Sequence, residues 1–181
     1  PGRNAAQDIY KCADDYLINA PKKYNEKIYL DNLANFDRFA ANAGLTADLI
    51  MVPSTGYIME EVLPANHGTY YDDMLYEKAQ ETLQHVNIID VRETLKEGAQ
   101  RGQVCYKTDH HLTSRGCYEA FRLYARHIGS ATPDTENYEI EIVSDFYGSV
   151  YAKAGLWNVE IDSLEIWRSK TSKDIQVTYD D

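Results

Sequence analysis

Apolar positions along the chain recur at helical spacings or in short runs through residue 129, and they alternate with polar ones after residue 133. From Asp31, Leu33, Phe36, Ala40 and Ala43 fall on one helical face, with Asp31 or Asn32 able to cap the start and Gly44 able to end it. Residues 48–52 then form an apolar run stopped by Pro53, the pattern of a strand buried on both faces of a parallel sheet. Residues 54–69, with Gly56, Pro64 and Gly68, read as a loop. Leu75, Ala79, Leu83 and Val86 predict a second helix, and residues 87–91 a second buried strand. A short helix through Leu95 is expected to stop at Gly98, and residues 103–108 are the third strand candidate. Beyond Thr113, the apolar stripe of Cys117, Ala120, Phe121, Tyr124 and Ile128 predicts a helix ending at Gly129.

Helices alternating with strands argue for an α/β layer fold with a mostly parallel sheet. With only three buried strands, that sheet reads as incomplete. After Pro133 the texture changes: Tyr138, Ile140 and Ile142 alternate with Glu139 and Glu141, and Ile175, Val177 and Tyr179 repeat the pattern, as in a half-exposed ribbon. The expected organisation is a lead-in segment over residues 1–30, an α/β domain over 31–132 and a β-rich extension of the same domain over 133–181.

Composition narrows the partners. The 181 residues are 44% apolar and 26% charged, enough to form a core, and 29 acidic against 18 basic residues give a net charge of −11. That field repels nucleic acid and anionic lipid headgroups. No apolar stretch approaches the ~20 residues of a membrane span. The opening Pro1-Gly2-Arg3-Asn4 has no initiator Met and no apolar leader, so any signal or anchor is expected to lie outside this sequence. Cys12, Cys105 and Cys117 form no C-x-x-C pair, and Cys105 and Cys117 are read either as a bridge or as free thiols.

The chemistry concentrates at residues 106–116, where Asp109 precedes His110 and His111 at a predicted strand end, the edge at which α/β sheets bind ligands. On an extended backbone Asp109 and His111 share a side and His110 points away. An acid that orients a histidine makes it a general base for a hydroxyl nucleophile. Two alternatives stand beside this reading: a structural histidine pair bonded to the backbone, and a metal site, which adjacent, diverging ligands disfavour. No cofactor and no metal is expected.

The segment Lys107-Thr108-Asp109-His110-His111-Leu112-Thr113 resembles the signature of the bacterial DHHW family, with Leu112 in place of the family's Trp. Leu63-Pro64 after the first strand, Ile88-Ile89-Asp90-Val91, and Ser144-Asp145-Phe146-Tyr147-Gly148-Ser149 are similar to segments in the same order in that family. The DHHW family is similar in turn to the SGNH-hydrolase-like domains of alginate O-acetyltransferases, in which Asp-x-His precedes a downstream serine nucleophile. The resemblance implies a three-layer SGNH-like domain with Asp109 as orienting acid and His111 as base, and His110 joins them as a catalytic candidate. Ser54, Lys107 and Tyr147 are the candidates for contacting substrate. No Asp-Ser elbow follows His111, and Ser54 and Ser149 sit in contexts unlike a nucleophile elbow, so the serine is expected beyond residue 181. The implied function is an extracytoplasmic esterase or O-acetyltransferase acting on acylated cell-envelope polysaccharide. The competing expectation is a non-catalytic glycan-binding or envelope-assembly domain on the same scaffold.

Overall fold

Two adjacent strands organise the helical part of the chain in the computed structural model, which describes residues 5–6, 8–156, 158–171 and 178. Strands β4 (Ala47–Ile50) and β5 (Val86–Ile89) pair in parallel, with Leu49 opposite Ile88. Side chains alternate across a strand, so Ala47, Leu49, Val86 and Ile88 face one way. There they meet Leu33 and Ala40 of α1 (Glu26–Ala43) and Ala79 of α3 (Asp72–Thr82). Ile50 and Ile89 face the other way, onto Leu95 of α4 (Arg92–Arg101) and Ala120 of α5 (Ser114–His127). The result is the expected three-layer α/β arrangement, with parallel pairing confined to β4 and β5 among the described residues.

Several local expectations are corrected. Helix α1 begins at Glu26 because Asn25 Oδ1 accepts from Ile28 N at 3.1 Å. The added turn is held by this cap, and Tyr29, four residues before Leu33, extends the same apolar face onto the core. Gly44 ends the helix at φ 63°, as its position predicts. β4 is half-buried throughout, with β5 its one partner strand among the described residues. Within 54–69 lie a short helix α2 (Thr55–Ile58) and a 3₁₀ turn (Glu60–Val62). Val86 opens β5 instead of closing α3, and α4 continues through Gly98 to Arg101.

Residues 103–108 pair with no strand among the described residues. Cys105 bridges Leu112 alone, while Thr113 N donates to Val104 O at 2.8 Å and Tyr106 N to His111 O at 3.2 Å. The segment is a loop folded back on itself. Its apolar run reflects burial of Val104, Cys105 and Tyr106, not a ladder. α5 is capped by Thr113, whose Oγ1 accepts from Gly116 N at 3.2 Å, but its buried residues are Gly116, Ala120 and Ala125, while Cys117, Phe121 and Ile128 are exposed.

The lead-in is more ordered than its pattern suggests. It forms an antiparallel sheet of β1 (Ala5–Ala6), β2 (Ile9–Lys11) and β3 (Leu17–Asn19), strands too short to show a period. β3 sends Ile18 into the main core, and Leu17 against Val150 and Ala154 of α6 (Ser149–Ala154). The extension is a ribbon, with a second strand that the alternation did not single out: β6 (Tyr138–Phe146) pairs antiparallel with β7 (Asp162–Ser169). The alternating Ile175, Val177 and Tyr179 lie outside the described residues, as does the Pro1–Asn4 start. Cys105 and Cys117 are free thiols, and burial pushes the Cys105 thiol up to about 12. Among the described residues no helix is long and apolar enough to cross a membrane.

The loop over 104–113 and α5 meet at Gly116, where an added Cβ would stand 2.2 Å from the Val104 carbonyl oxygen. Gly116→Ala is expected to lower stability by about 1–3 kcal/mol. Gly102→Ala, with open space around its Cβ, should change it by less than about 0.5 kcal/mol. Urea unfolding of both variants checks this, and equal midpoints would refute the contact.

Candidate active site

The site is built on a buried carboxylate. Asp162, at the start of β7 and 3% exposed, accepts from Gln103 Nε2 at 2.6 Å, Lys107 N at 2.9 Å, Thr108 N at 2.7 Å and Thr108 Oγ1 at 2.6 Å. Thr108, itself fully buried, also accepts from Gly148 N at 3.1 Å through Oγ1 and from Tyr151 N at 3.0 Å through its carbonyl. The Lys107 carbonyl takes Leu17 N of β3 at 2.7 Å. A loop without a ladder is thus tied to β3, α6 and β7 at once.

A bulge in β6 between Val143 and Phe146, with Asp145 at φ 64°, bends the strand end toward this loop. Gly148 then lies so close that an added Cβ would be 2.4 Å from Thr108 O and 2.5 Å from Asp109 Cβ. Only glycine fits there.

Asp109 follows directly and is 4% exposed. Its Oδ2 accepts from Ser149 N and Ser149 Oγ, both at 2.8 Å, and its Oδ1 from His111 N at 3.0 Å and His111 Nδ1 at 2.5 Å. Burial alone would raise the acid's pKa. The two bonds from Ser149 and the two from His111 outweigh it and hold the carboxyl well below the usual carboxylate range. Asp109 therefore carries its charge and takes the Nδ1 side of His111, so in the neutral imidazole Nε2 is the nitrogen that can accept.

The pairing of Asp109 with His111 is as expected, but its geometry is not that of a strand. The bond from His111 N to Asp109 Oδ1 closes an Asx turn, which bends the backbone and swings His110 to the same side. The two imidazoles lie 3.9 Å apart, and His110 Nδ1 is 3.1 Å from Ser149 Oγ. The expectation that His110 points away is corrected. One donor atom each from Asp109, His110 and His111 lies within 4.8 Å of the others, so the donor types of a cation site are present. Both Asp109 oxygens, however, are already engaged by four N–H and O–H groups.

The substrate candidates divide. Ser54 lines the same pocket as Asp109 and His110, although its N and Oγ are bound to Asp72 at 2.7 and 2.8 Å. Lys107 turns away to an ion pair with Glu160. Tyr147, two residues before Ser149, is exposed and rests on Tyr151, with ring centroids 5.1 Å apart. Leu112 packs against the main core. Sequence reasoning missed the parts played by Ser149, Thr108 and Asp162. Gly148-Ser149 was visible as a segment without a role, and Asp162 carried no signal at all.

A family model described as the SGNH hydrolase-like domain of the acetyltransferase AlgX matches residues 12–156. Among solved structures, a DHHW family protein from Eubacterium siraeum superposes with a TM-score of 0.72 at 16% identity, covering 90% of this chain and 54% of that one. The O-acetyltransferase domain of Pseudomonas putida AlgJ gives a TM-score of 0.68 at 18% identity, over 90% of this chain and 66% of that one. Bacillus cereus PatB1, solved with a sulfonyl adduct, gives 0.70 at 18%, over 90% and 56%. These likenesses show a shared SGNH-like fold, and the chain spans between 54% and 66% of the length of these structures. No curated protein matches.

The depressed Asp109 pKa has a stability consequence. Its contribution is complete above the unfolded carboxyl pKa of about 3.9 and is lost as pH falls through the lower folded value. Asp109→Asn should cost about 1–3 kcal/mol at neutral pH, by setting an amide NH₂ against donors. Urea midpoints of wild type and variant should converge as pH drops below about 4. A gap that stays constant down to the acid limit would contradict the assignment.

Proposed function

Because the chain belongs to the family of SGNH hydrolase-like acetyltransferase domains of the AlgX type, we propose that it supplies the acid and base of a serine-dependent O-acetyltransferase or esterase. Its substrates in this reading are acylated cell-envelope glycans, met outside the cytoplasm. The observation that carries the reading is the contact of His111 Nδ1 with buried Asp109 at 2.5 Å, while the His111 side chain is 68% exposed.

With Nδ1–H committed to Asp109, Nε2 takes the proton of a serine hydroxyl as its oxygen bonds to the ester carbonyl carbon. Asp109 stabilises the imidazolium so formed. Collapse of the tetrahedral intermediate breaks the bond to the leaving alkoxide, which receives that proton from Nε2. A glycan hydroxyl or water then repeats the sequence on the acyl-serine, giving transfer or hydrolysis. Ser149 keeps the Asp109 carboxylate in place.

The serine in this reading lies outside the 181 residues. Ser54 donates to Asp72, not to an imidazole. Ser149 Oγ donates to Asp109 Oδ2 and lies 3.1 Å from His110 Nδ1, a nitrogen that is itself 3.6 Å from Asp109 Oδ1, so the hydroxyl is tied to the carboxylate that it positions. The AlgJ structure supports the acetyl-transfer side of the proposal, since that neighbour is an O-acetyltransferase domain.

Hydrolysis of 4-nitrophenyl acetate tests it. The 181-residue chain should not exceed buffer, while a longer form carrying the downstream segment should turn over. In that longer form His111→Ala should lower the rate by about 10²–10⁴-fold, and His110→Ala by much less. Turnover by the short chain that vanishes in Ser149→Ala or Ser54→Ala would place the nucleophile within it. Inactivity of both lengths on every acyl ester tried would favour a glycan-binding domain.

A further inference from the structure

Two adjoining hollows lead away from His110 along the molecular surface. The inner part, about 160 Å³, is bounded by Leu17, Thr55, Gly56, Asp109 and His110. The outer part, about 320 Å³, is bounded by Pro21, Lys22, Tyr24, Tyr71, Asp72 and Leu75. Asn19, Ser54 and Tyr70 line both, so the two parts adjoin. Resting on the glycan reading above, we infer that the outer part is a sugar subsite: one uncharged pyranose ring lies on Tyr24 and Tyr71, and its hydroxyls bond to the Ser54–Asp72 pair.

The aromatic surface is held in place before any ligand arrives. The Tyr24 ring meets Tyr71 at 5.7 Å and 52°, and Tyr29 edge-on at 6.3 Å and 87°. The Tyr24 hydroxyl is turned to Met74 Sδ at 3.5 Å, which leaves its ring as the part available to a ligand. Tyr71 is 36% exposed. The axial C–H groups of a pyranose form an apolar face that stacks on such rings, and fixed side chains lose little entropy in doing so.

Polar groups stand where a sugar needs them. Ser54 N and Oγ both donate to Asp72, which leaves the carboxylate with spare lone pairs and the hydroxyl with acceptor capacity. A sugar hydroxyl, donor and acceptor together, can use both. An acyl chain in the same place would strand them. Lys22 and Asp72 cancel in charge, which fits a neutral hexose or N-acetylhexosamine better than a uronate.

The floor between the hollows also depends on a missing side chain. A Cβ on Gly56 would stand 2.0 Å from the Tyr70 ring, so only glycine lets that ring lie across the junction, where its hydroxyl donates to Asn19 O at 2.7 Å. A ring seated outside Tyr70 would leave the inner part for the acyl group, beside His110.

Saturation-transfer NMR and calorimetry on the 181-residue chain, with the tetramer of β-1,4-linked N-acetylglucosamine and with cellotetraose as probes, test this. At least one probe should bind, and Tyr71→Ala should weaken it by about tenfold. Asp72→Asn, which keeps the side chain's shape, should also weaken it, while Phe121→Ala on α5 should leave it unchanged. Failure of both probes to bind, or equal binding by Tyr71→Ala, would overturn the subsite. So would loss of butyrate binding in Tyr71→Ala with saccharide binding unaffected. Sugar binding that Tyr71→Ala weakens, beside an inactive longer protein, would refute the catalytic reading alone.

Discussion

The carboxylate of Asp162 is what a whole loop is organised around. A stretch of backbone that enters no sheet must satisfy its buried N–H groups elsewhere, and four donors from Gln103, Lys107 and Thr108 converge on this one side chain. No cation faces it directly in these contacts. Oriented N–H and O–H dipoles compensate the buried charge, a solution that works only while all of them stay in place. The adjacent Asp109 inherits its position from that arrangement.

Two carboxylates therefore serve the site in different ways, with Thr108 between them. One oxygen of Thr108 binds Asp162 and receives Gly148 N, and Gly148 brings Ser149 to Asp109. Orientation of the imidazole is transmitted through short, saturated hydrogen bonds, not through hydrophobic packing. Such networks are rigid when complete and costly when one member is removed.

Much of the layer architecture was legible. Leu33, Ala40 and Gly44 lie where their spacing put them, because a helix face buried against a sheet writes a periodic pattern. The start at Asn25 was missed although Tyr29, four residues before Leu33, continues that face, because Asp31 and Asn32 offered equally good capping side chains nearer the periodic run. The run over 103–108 misled for the opposite reason: burial was real, but a loop can be buried if a remote carboxylate satisfies it. In the site, the i, i+2 pairing of Asp109 with His111 was right, yet the backbone reaches it by an Asx turn that spacing alone does not distinguish from a strand. His110 was misplaced by that same turn. Ser149 and Asp162 contact the motif from 40 and 54 residues away, and a single sequence holds no signal for contacts of that range.

That separation sets an order of assembly in time. A chain made at about 5–20 residues per second presents Thr108 roughly 3–11 s before Asp162 exists. Until then the loop has no carboxylate to close upon, and Asp109 has no fixed partner apart from its neighbours in the turn. The acid–base pair thus acquires its geometry only after the start of β7 has been made. Nascent protein carries the motif while still lacking the arrangement that would make it reactive.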